Sequence, residues 1–516
     1  MTRRTTLILS AILVIAFALR LIQLSERDFW YDEAFSVLFA ETGVESMLTG
    51  TTTITPNGAS EPHPLLYYTA LHYWMWIVGQ SPFAVRLFNV LIGLVTIYAV
   101  FLLSRDLFDT RIGLSAAFIT AIAPFHIQYS QEARMYSLLA LFLVLATWTF
   151  WRAYRIEKRA VGWWIAFGVF GALTLYTQQL GAFYLAALAC VPIIARRWHA
   201  LPGLLTGIGV AVIFYAPWLF FVLPNQLVSI SNAYWIPVPS IASLLVTLRS
   251  FATVNLTYGT PSTLIGLGAA LILLFFMILQ LLLRTRRVSA TTRDSLLFAL
   301  WLFIAPIALL WVVSQLRPLY IDRALIGSAL MLYVLLAWLL TRGGLPRPIS
   351  FIVGGIGIIA VGIGLFYQYT WSNFPSSPFQ AMTTQITQQW LQGDVIIHQD
   401  KLSALPSRYY ARDLTQRYIR DEPGAADDTL SMPAQQTLNF YADACVRVAA
   451  RGAERVWWVV LSPTPAQYAL IQELFTTQIA WLEASFAARE TYQLNDVIFT
   501  LYSNRMTPLD EGVCES

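Results

Sequence analysis

The sequence predicts an α-helical polytopic membrane protein of about eleven transmembrane helices, with a C-terminal extracytoplasmic α/β soluble domain. Three observations carry this expectation. Hydrophobic residues make up 57% of the 516 positions and charged residues only 12%, far from the averages of a soluble globular domain. Apolar segments close to the ~20 residues that a spanning helix needs recur throughout residues 1–370, separated by short polar breaks. Beyond residue 370 no further segment is long enough to span, and Pro375 and Pro378 mark a linker. The organisation expected is therefore 1–370 for the membrane domain and 371–516 for the soluble one.

The spans are placed at 6–24, 83–104, 112–128, 135–151, 161–177, 180–195, 203–222, 262–283, 295–314, 321–341 and 349–369. Arg3 and Arg4 precede the first apolar run, as in a signal peptide, but LRLIQLSER at its end has no small-x-small cleavage site. The segment reads as a retained anchor. Cytoplasmic loops carry the excess of Lys and Arg, and alternate breaks here do so: Arg3 and Arg4; Arg105 and Arg111; Arg152, Arg155, Lys158 and Arg159; Arg196 and Arg197; Arg284, Arg286, Arg287 and Arg293; Arg342 and Arg347. This places the N-terminus in the cytoplasm and the C-terminal domain outside a cell (plasma) membrane. The formal charge of +4 then needs no nucleic-acid partner, because its arginines are mostly topological signals beside the lipid bilayer.

In the soluble domain, DVIIH at 394–398, VWWVVLS at 456–462 and DVIFTLYS at 496–503 are β-rich runs, the first two preceding helix-like stretches. Cys190 falls in a span. Cys445 and Cys514 fall in the outer domain, where they either pair or remain two small unpaired residues.

The same alternation puts four polar breaks on the outer face: the one that opens with DFWYDEAFS and runs through 25–82, QYSQEARMYS at 128–137, the loop at 223–261 and RPLYIDR at 317–323. DFWYDEAFS at 28–36 carries Asp32 and Glu33, and EPHPLLYYTALHYWMW at 61–76 carries His63 in an aromatic segment expected to lie along the interface. QYSQEARMYS at 128–137 carries Glu132, Arg134 and Tyr136, and RPLYIDR at 317–323 carries Arg317, Tyr320, Asp322 and Arg323. YTQQLG at 176–181, with Gln178 and Gln179, joins them. Acids and aromatics at an interface ordinarily mark headgroup contact, which suffices for Asp28. The wider mixture suits a reaction between a lipid-linked phosphate and a nucleophile from outside. Arginine grips phosphate with a planar fork, so Arg323 or Arg134 at headgroup depth is placed to hold one. A carboxylate then takes the proton of an acceptor hydroxyl, worth roughly 10²- to 10⁴-fold in rate.

These segments, with SPFAVRLFN at 81–89, occur in an order that resembles membrane glycosyltransferases of the C-type fold (GT-C). The closest likeness is to glycosyltransferase family 39 in its broad bacterial sense, which includes protein O-mannosyltransferases and aminoarabinose transferases. The resemblance covers residues 1–340. It implies a polyprenyl-phosphate sugar donor, attacked at the anomeric carbon with inversion by an extracytoplasmic acceptor: protein, lipid or glycan. It implies catalytic roles for Asp32, as base, and for Glu33 beside it, and assigns the donor phosphate to Arg323, with Arg134, Glu132 and Tyr136 in a second motif. His63, Gln178 and Tyr320 are the remaining candidates for a substrate or acceptor pocket. His63 next to Pro64 matches a frequent His-Pro of the family, whereas Gln178 and Gln179 stand where many relatives have a His. A divalent metal is a possible cofactor that the sequence leaves open, and the C-terminal domain matches no named motif.

The competing functions are a multi-pass transporter and a noncatalytic lipid-binding scaffold of the cell envelope. Transporters place substrate sites near the midplane at broken helices in repeat-related halves, whereas the charges here gather at the outer ends of spans. A scaffold would leave the placements of Asp32, Glu33 and Arg323 without purpose. The NLT at 255–257 is a glycosylation acceptor pattern too short to carry weight.

Overall fold

A computed structural model describes residues 2–53, 63–156, 160–224, 226, 236–254, 261–284, 288–420, 430–462, 473–506 and 514. The NLT at 255–257, Pro62, Lys158, Arg159, Arg286, Arg287 and, in the 223–261 loop, residues 225, 227–235 and 255–260 lie outside the described residues.

Each of the eleven apolar segments is helical, but they are not eleven full spans. Among the described residues, eight helices are long and apolar enough to cross a membrane: 3–21, 82–107, 136–155, 198–221, 263–284, 290–314, 322–342 and 347–370. A ninth is obtained by joining Thr110–Ile122 to Pro124–Ser130 across a bend of 63°. Pro124 has no N–H to donate and holds Ala123 extended, which breaks the helix there. The other two expected spans are shorter apolar helices of 17 residues, Val161–Thr177, and 14 residues, Gly181–Ile194, so eight or nine of the eleven expected spans have the length and composition of a full crossing. Hydropathy reports that a segment is apolar. It does not separate a full crossing from a shorter helix enclosed by its neighbours, as Val161–Thr177 is by 136–155 and 201–221.

The breaks assigned to one side of the membrane touch one another. Asp106 takes Arg105 and Arg152, Arg342 reaches Asp109 at 3.1 Å, and Arg197 reaches Asp294 at 2.9 Å. At the opposite end, the breaks around Asp32, Arg134 and Arg323 converge.

The C-terminal region carries one six-stranded sheet: β1 (Asp394–His398), β2 (Gln416–Ile419), β3 (Ala442–Asp443), β4 (Arg455–Leu461), β5 (Phe486–Leu494) and β6 (Val497–Arg505), in the order β3-β2-β1-β4-β6-β5. β3, β2, β1 and β4 run parallel, while β6 is antiparallel to both β4 and β5. The three expected strands are β1, β4 and β6. β1 is buried at every position, as a strand covered on both faces should be. Cys445 and Cys514 are joined as a disulfide, with Cα atoms 5.9 Å apart.

This region sits on the segment that bears Asp32. The Phe29 N–H donates to Tyr410 Oη at 2.8 Å, the Phe29 and Tyr409 rings meet edge to face at 4.7 Å, and Tyr409 Oη donates to the Gln80 carbonyl at 2.6 Å. Arg412 pairs with Glu41 at 2.8 Å, and Lys401 lies over the Tyr31 ring at 5.6 Å.

Candidate active site

Helix Tyr31–Glu41 starts from an extended Trp30 with no side-chain cap, and Asp32 and Glu33 occupy its first turn. Carboxylates there face the positive end of the helix dipole. Consecutive helical residues point about 100° apart, so the two adjacent acids diverge.

Asp32 points into the convergent cluster. Its Oδ2 lies 3.5 Å from Arg134 Nε and 3.6 Å from Arg323 Nη1, with no hydrogen-bond partner among the described residues. Arg323 lies over the Tyr136 ring, 5.3 Å from its centroid. Arg134 donates from Nη1 to Tyr68 Oη at 3.1 Å, and its Nη2 is 3.5 Å from His63 Nε2. Five residues singled out in the sequence (Asp32, Arg134, Arg323, Tyr136 and His63) thus come from three separate breaks to one place.

Glu132 belongs to the same break as Arg134, between two spans. Its Oε1 is shielded from solvent and has no hydrogen-bond partner among the described residues. Burial pushes its carboxyl up to about 8, with the Arg323 guanidinium pulling the other way.

Glu33 takes a different place. Its carboxylate accepts from Arg86 Nε at 2.8 Å and Nη2 at 2.6 Å, and from the Ala133 N–H at 2.8 Å. Arg86 also donates to the carbonyls of Leu24, Arg27 and Asp28 and covers the Phe29 ring. The pair is fully enclosed and ties the first outer segment to the 131–135 break. Gln178 and Tyr320 stand apart. Gln178 Oε1 accepts from the Leu180 N–H of its own turn at 3.4 Å, and Tyr320 Oη is bonded to Thr247 Oγ1 at 2.7 Å. Among the described residues, no hydrogen bond or ion pair joins either to the Asp32 cluster.

Two residues central to the site had no role assigned from the sequence. Arg86 lies in the second turn of an apolar span, inside the SPFAVRLFN stretch. A charge there has to find a partner, and that is the signal that could have exposed it. Asn89, one turn on, donates to the carbonyls of Glu132 and Arg134 and so holds the arginine break in place. Nothing in its local sequence announces this.

Among the described residues, no group of three His, Cys, Asp or Glu side chains is arranged to hold a metal ion. The acids of the site face guanidiniums, so the residues present make no ready ligand set for the divalent metal that the sequence left open.

Residues 62–221 match the family model described as dolichyl-phosphate-mannose-protein mannosyltransferase. Among solved structures, the chain is similar to ArnT from Cupriavidus metallidurans in the apo state, at 12% identity and a TM-score of 0.61, over 96% of this chain and 97% of that one. The fold is that of the C-type membrane glycosyltransferases. The same ArnT bound to undecaprenyl phosphate aligns with a TM-score of 0.58 at 12% identity, over 96% of this chain and 97% of that one. The Archaeoglobus fulgidus oligosaccharyltransferase tethered with an acceptor peptide aligns with a TM-score of 0.55 at 14% identity, over 97% of this chain and 75% of that one. No curated protein sequence matches. The resemblance drawn from WYDEAFS, HPLLYY, SQEARMYSL and RPLYIDRAL is borne out at the level of fold, and the C-type fold places these motifs together although they are up to 300 residues apart in sequence.

Proposed function

We propose that this chain transfers a sugar from a polyprenyl-phosphate donor to an acceptor outside the cytoplasm, with inversion at the anomeric carbon. The observation that carries the reading is Asp32 between two guanidiniums, at the end of the bundle covered by the sheet region. The partial match to a mannosyltransferase model and the fold shared with a protein solved with undecaprenyl phosphate support it.

In this reading Arg323 and Arg134 hold the donor phosphate, whose charge competes with Asp32 for both guanidiniums. Asp32 is then released to accept the proton of the acceptor hydroxyl. The hydroxyl oxygen bonds to the anomeric carbon as the bond from that carbon to the phosphate oxygen breaks. Polyprenyl phosphate departs with the electron pair, as an anion already held by arginine, so no general acid is required. Glu33 acts through Arg86 and the Ala133 N–H as a positioning residue, fixing the turn that aims Asp32. His63, Tyr68 and Tyr136 shape the pocket wall beside the arginines. Residues 371–516 form the domain facing the acceptor, outside the plasma membrane, with the N-terminus in the cytoplasm.

The test is incubation of the purified protein with a panel of radiolabelled polyprenyl-phosphate sugars, reading transfer or slow release of free sugar. Release from at least one donor, abolished in Asp32→Asn, is the expected result. Inertness toward the whole panel would overturn the reading.

A further inference from the structure

An open groove of 1020 Å³ runs between the ends of the first and last spans and helix Phe379–Gln388. None of the Asp32 cluster lines it. The two sites share only the 26–33 segment. The Asp28 carbonyl accepts from Arg86, on the side of the Glu33 pair, while Asp28 Oδ2 accepts from the Gln380 N–H at 2.7 Å in the groove wall.

The groove has a distinct chemistry. Five glutamines line it: Gln389 Oε1 accepts from Tyr492 Oη, while the side-chain amides of Gln23, Gln380, Gln385 and Gln388 make no hydrogen bond among the described residues. Gln380, Thr384 and Gln388 are spaced four apart, so they form one row along the helix. An amide presents donors and an acceptor together, as a sugar hydroxyl does. Charge argues against an anionic ligand. One guanidinium, Arg27, stands against Glu26 and Asp28, and Arg27 is turned toward Gln131 Oε1 at 3.4 Å. The lining is also too polar for a hydrophobic ligand, which would meet apolar and aromatic walls. Aromatic residues are confined to the membrane end, at Tyr369 and Trp371. The volume reaches the top of the ~300–1,000 Å³ usual for small-ligand pockets, room for more than one sugar ring.

We infer that this groove binds a neutral saccharide chain of the acceptor, holding it beside the first outer segment while its reactive hydroxyl reaches Asp32. The inference rests on the transfer reading for its purpose, but binding is measured separately from chemistry.

The experiment uses the full-length Asp32→Asn protein in lipid nanodiscs, with maltotriose, cellotriose, mannotriose and chitotriose as probes, read by saturation-transfer NMR. At least one trisaccharide should give a saturable signal. Adding Gln385→Ala and Gln388→Ala should weaken it about fivefold or more, the scale of one or two lost hydrogen bonds. The same pair of substitutions in the protein that retains Asp32 should leave donor hydrolysis unchanged, which also confirms that the variant folds. If no trisaccharide saturates, or if the signal survives both glutamine substitutions, the inference is wrong. Failure of the transfer reading would show instead as absent donor hydrolysis with Asp32 intact, whatever the trisaccharides do.

Discussion

Glu33 gives its carboxylate to Arg86, at 2.8 and 2.6 Å, although its neighbour Asp32 faces Arg134 and Arg323. Two adjacent acids therefore have separate partners, one facing two arginines and one tied into a buried ion pair. Arg86 in turn gathers the carbonyls of residues 24, 27 and 28, so a single buried ion pair sets the path of the first outer segment.

Breaking that pair should be costly, because a lone buried charge is worse than none. Glu33→Gln should destabilise the protein by about 3–5 kcal/mol, the scale for removing one partner of a buried pair. Glu33→Leu combined with Arg86→Met should cost less than Glu33→Gln alone. Thermal stability in detergent, followed by the recovery of monodisperse protein, checks both. A Gln variant as stable as the parent would remove Glu33 from the frame.

Asp32→Asn keeps the shape and loses the base. Transfer should fall by roughly 10²-fold or more, with expression and donor-lipid binding close to the parent. Rates near the parental value would make Asp32 an interfacial acid and turn attention to Glu132.

Arg317 follows the end of helix Ala290–Ser314 and Arg323 lies at the start of the next span, and only Arg323 reaches Asp32. Arg323→Ala should raise the donor concentration needed for half-maximal rate far more than Arg317→Ala. A bidentate charge-assisted contact to phosphate is worth roughly 1.5–3 kcal/mol, or about ten- to a hundredfold. Equal and mild effects in a donor titration would mean that neither arginine holds the phosphate.

Glu132 should make the protein sensitive to pH. Its carboxyl is pushed up to about 8 in the folded chain, so between its ordinary value of 4.5 and about 8 the folded state holds a proton that the unfolded state has lost. Stability should therefore fall as pH rises across that window, and Glu132→Gln should flatten the dependence. Thermal midpoints measured from pH 5 to pH 8.5 check this. A parent protein whose midpoint rises with pH as steeply as that of the Gln variant would contradict it.

Cys445 and Cys514 should be found oxidised in protein made in its own membrane, if the sheet region lies outside. Thiol labelling without reductant should then modify Cys190 alone, after denaturation, and all three cysteines once reductant is added. The bond closes a stretch of 69 residues, so Cys445→Ser should cost up to about 4 kcal/mol by loop entropy. Labelling of all three cysteines without reductant would place the C-terminal region in the cytoplasm.

The sequence alone determined the class, the helical segments, three of the strands and the side of the bundle on which the chemistry gathers. Each of these follows from local composition: an apolar run long enough to span, an alternation of arginine-rich breaks, a β-branched stretch between turns. It also singled out Asp32, Arg134 and Arg323, because charge at a membrane edge is conspicuous against apolar surroundings. Tertiary structure decided the rest. Whether Val161–Thr177 crosses a membrane depends on helix length within the bundle, which hydropathy does not register. Asp32 and Glu33 look alike as neighbours, yet the 100° turn between them sends one to two arginines and the other to Arg86, 53 positions later. Asn89 gained its role only when the 131–135 break folded against it. The pairing of Cys445 with Cys514 was likewise a matter of distance in space, which a sequence separation of 69 leaves undetermined until the fold brings their Cα atoms to 5.9 Å.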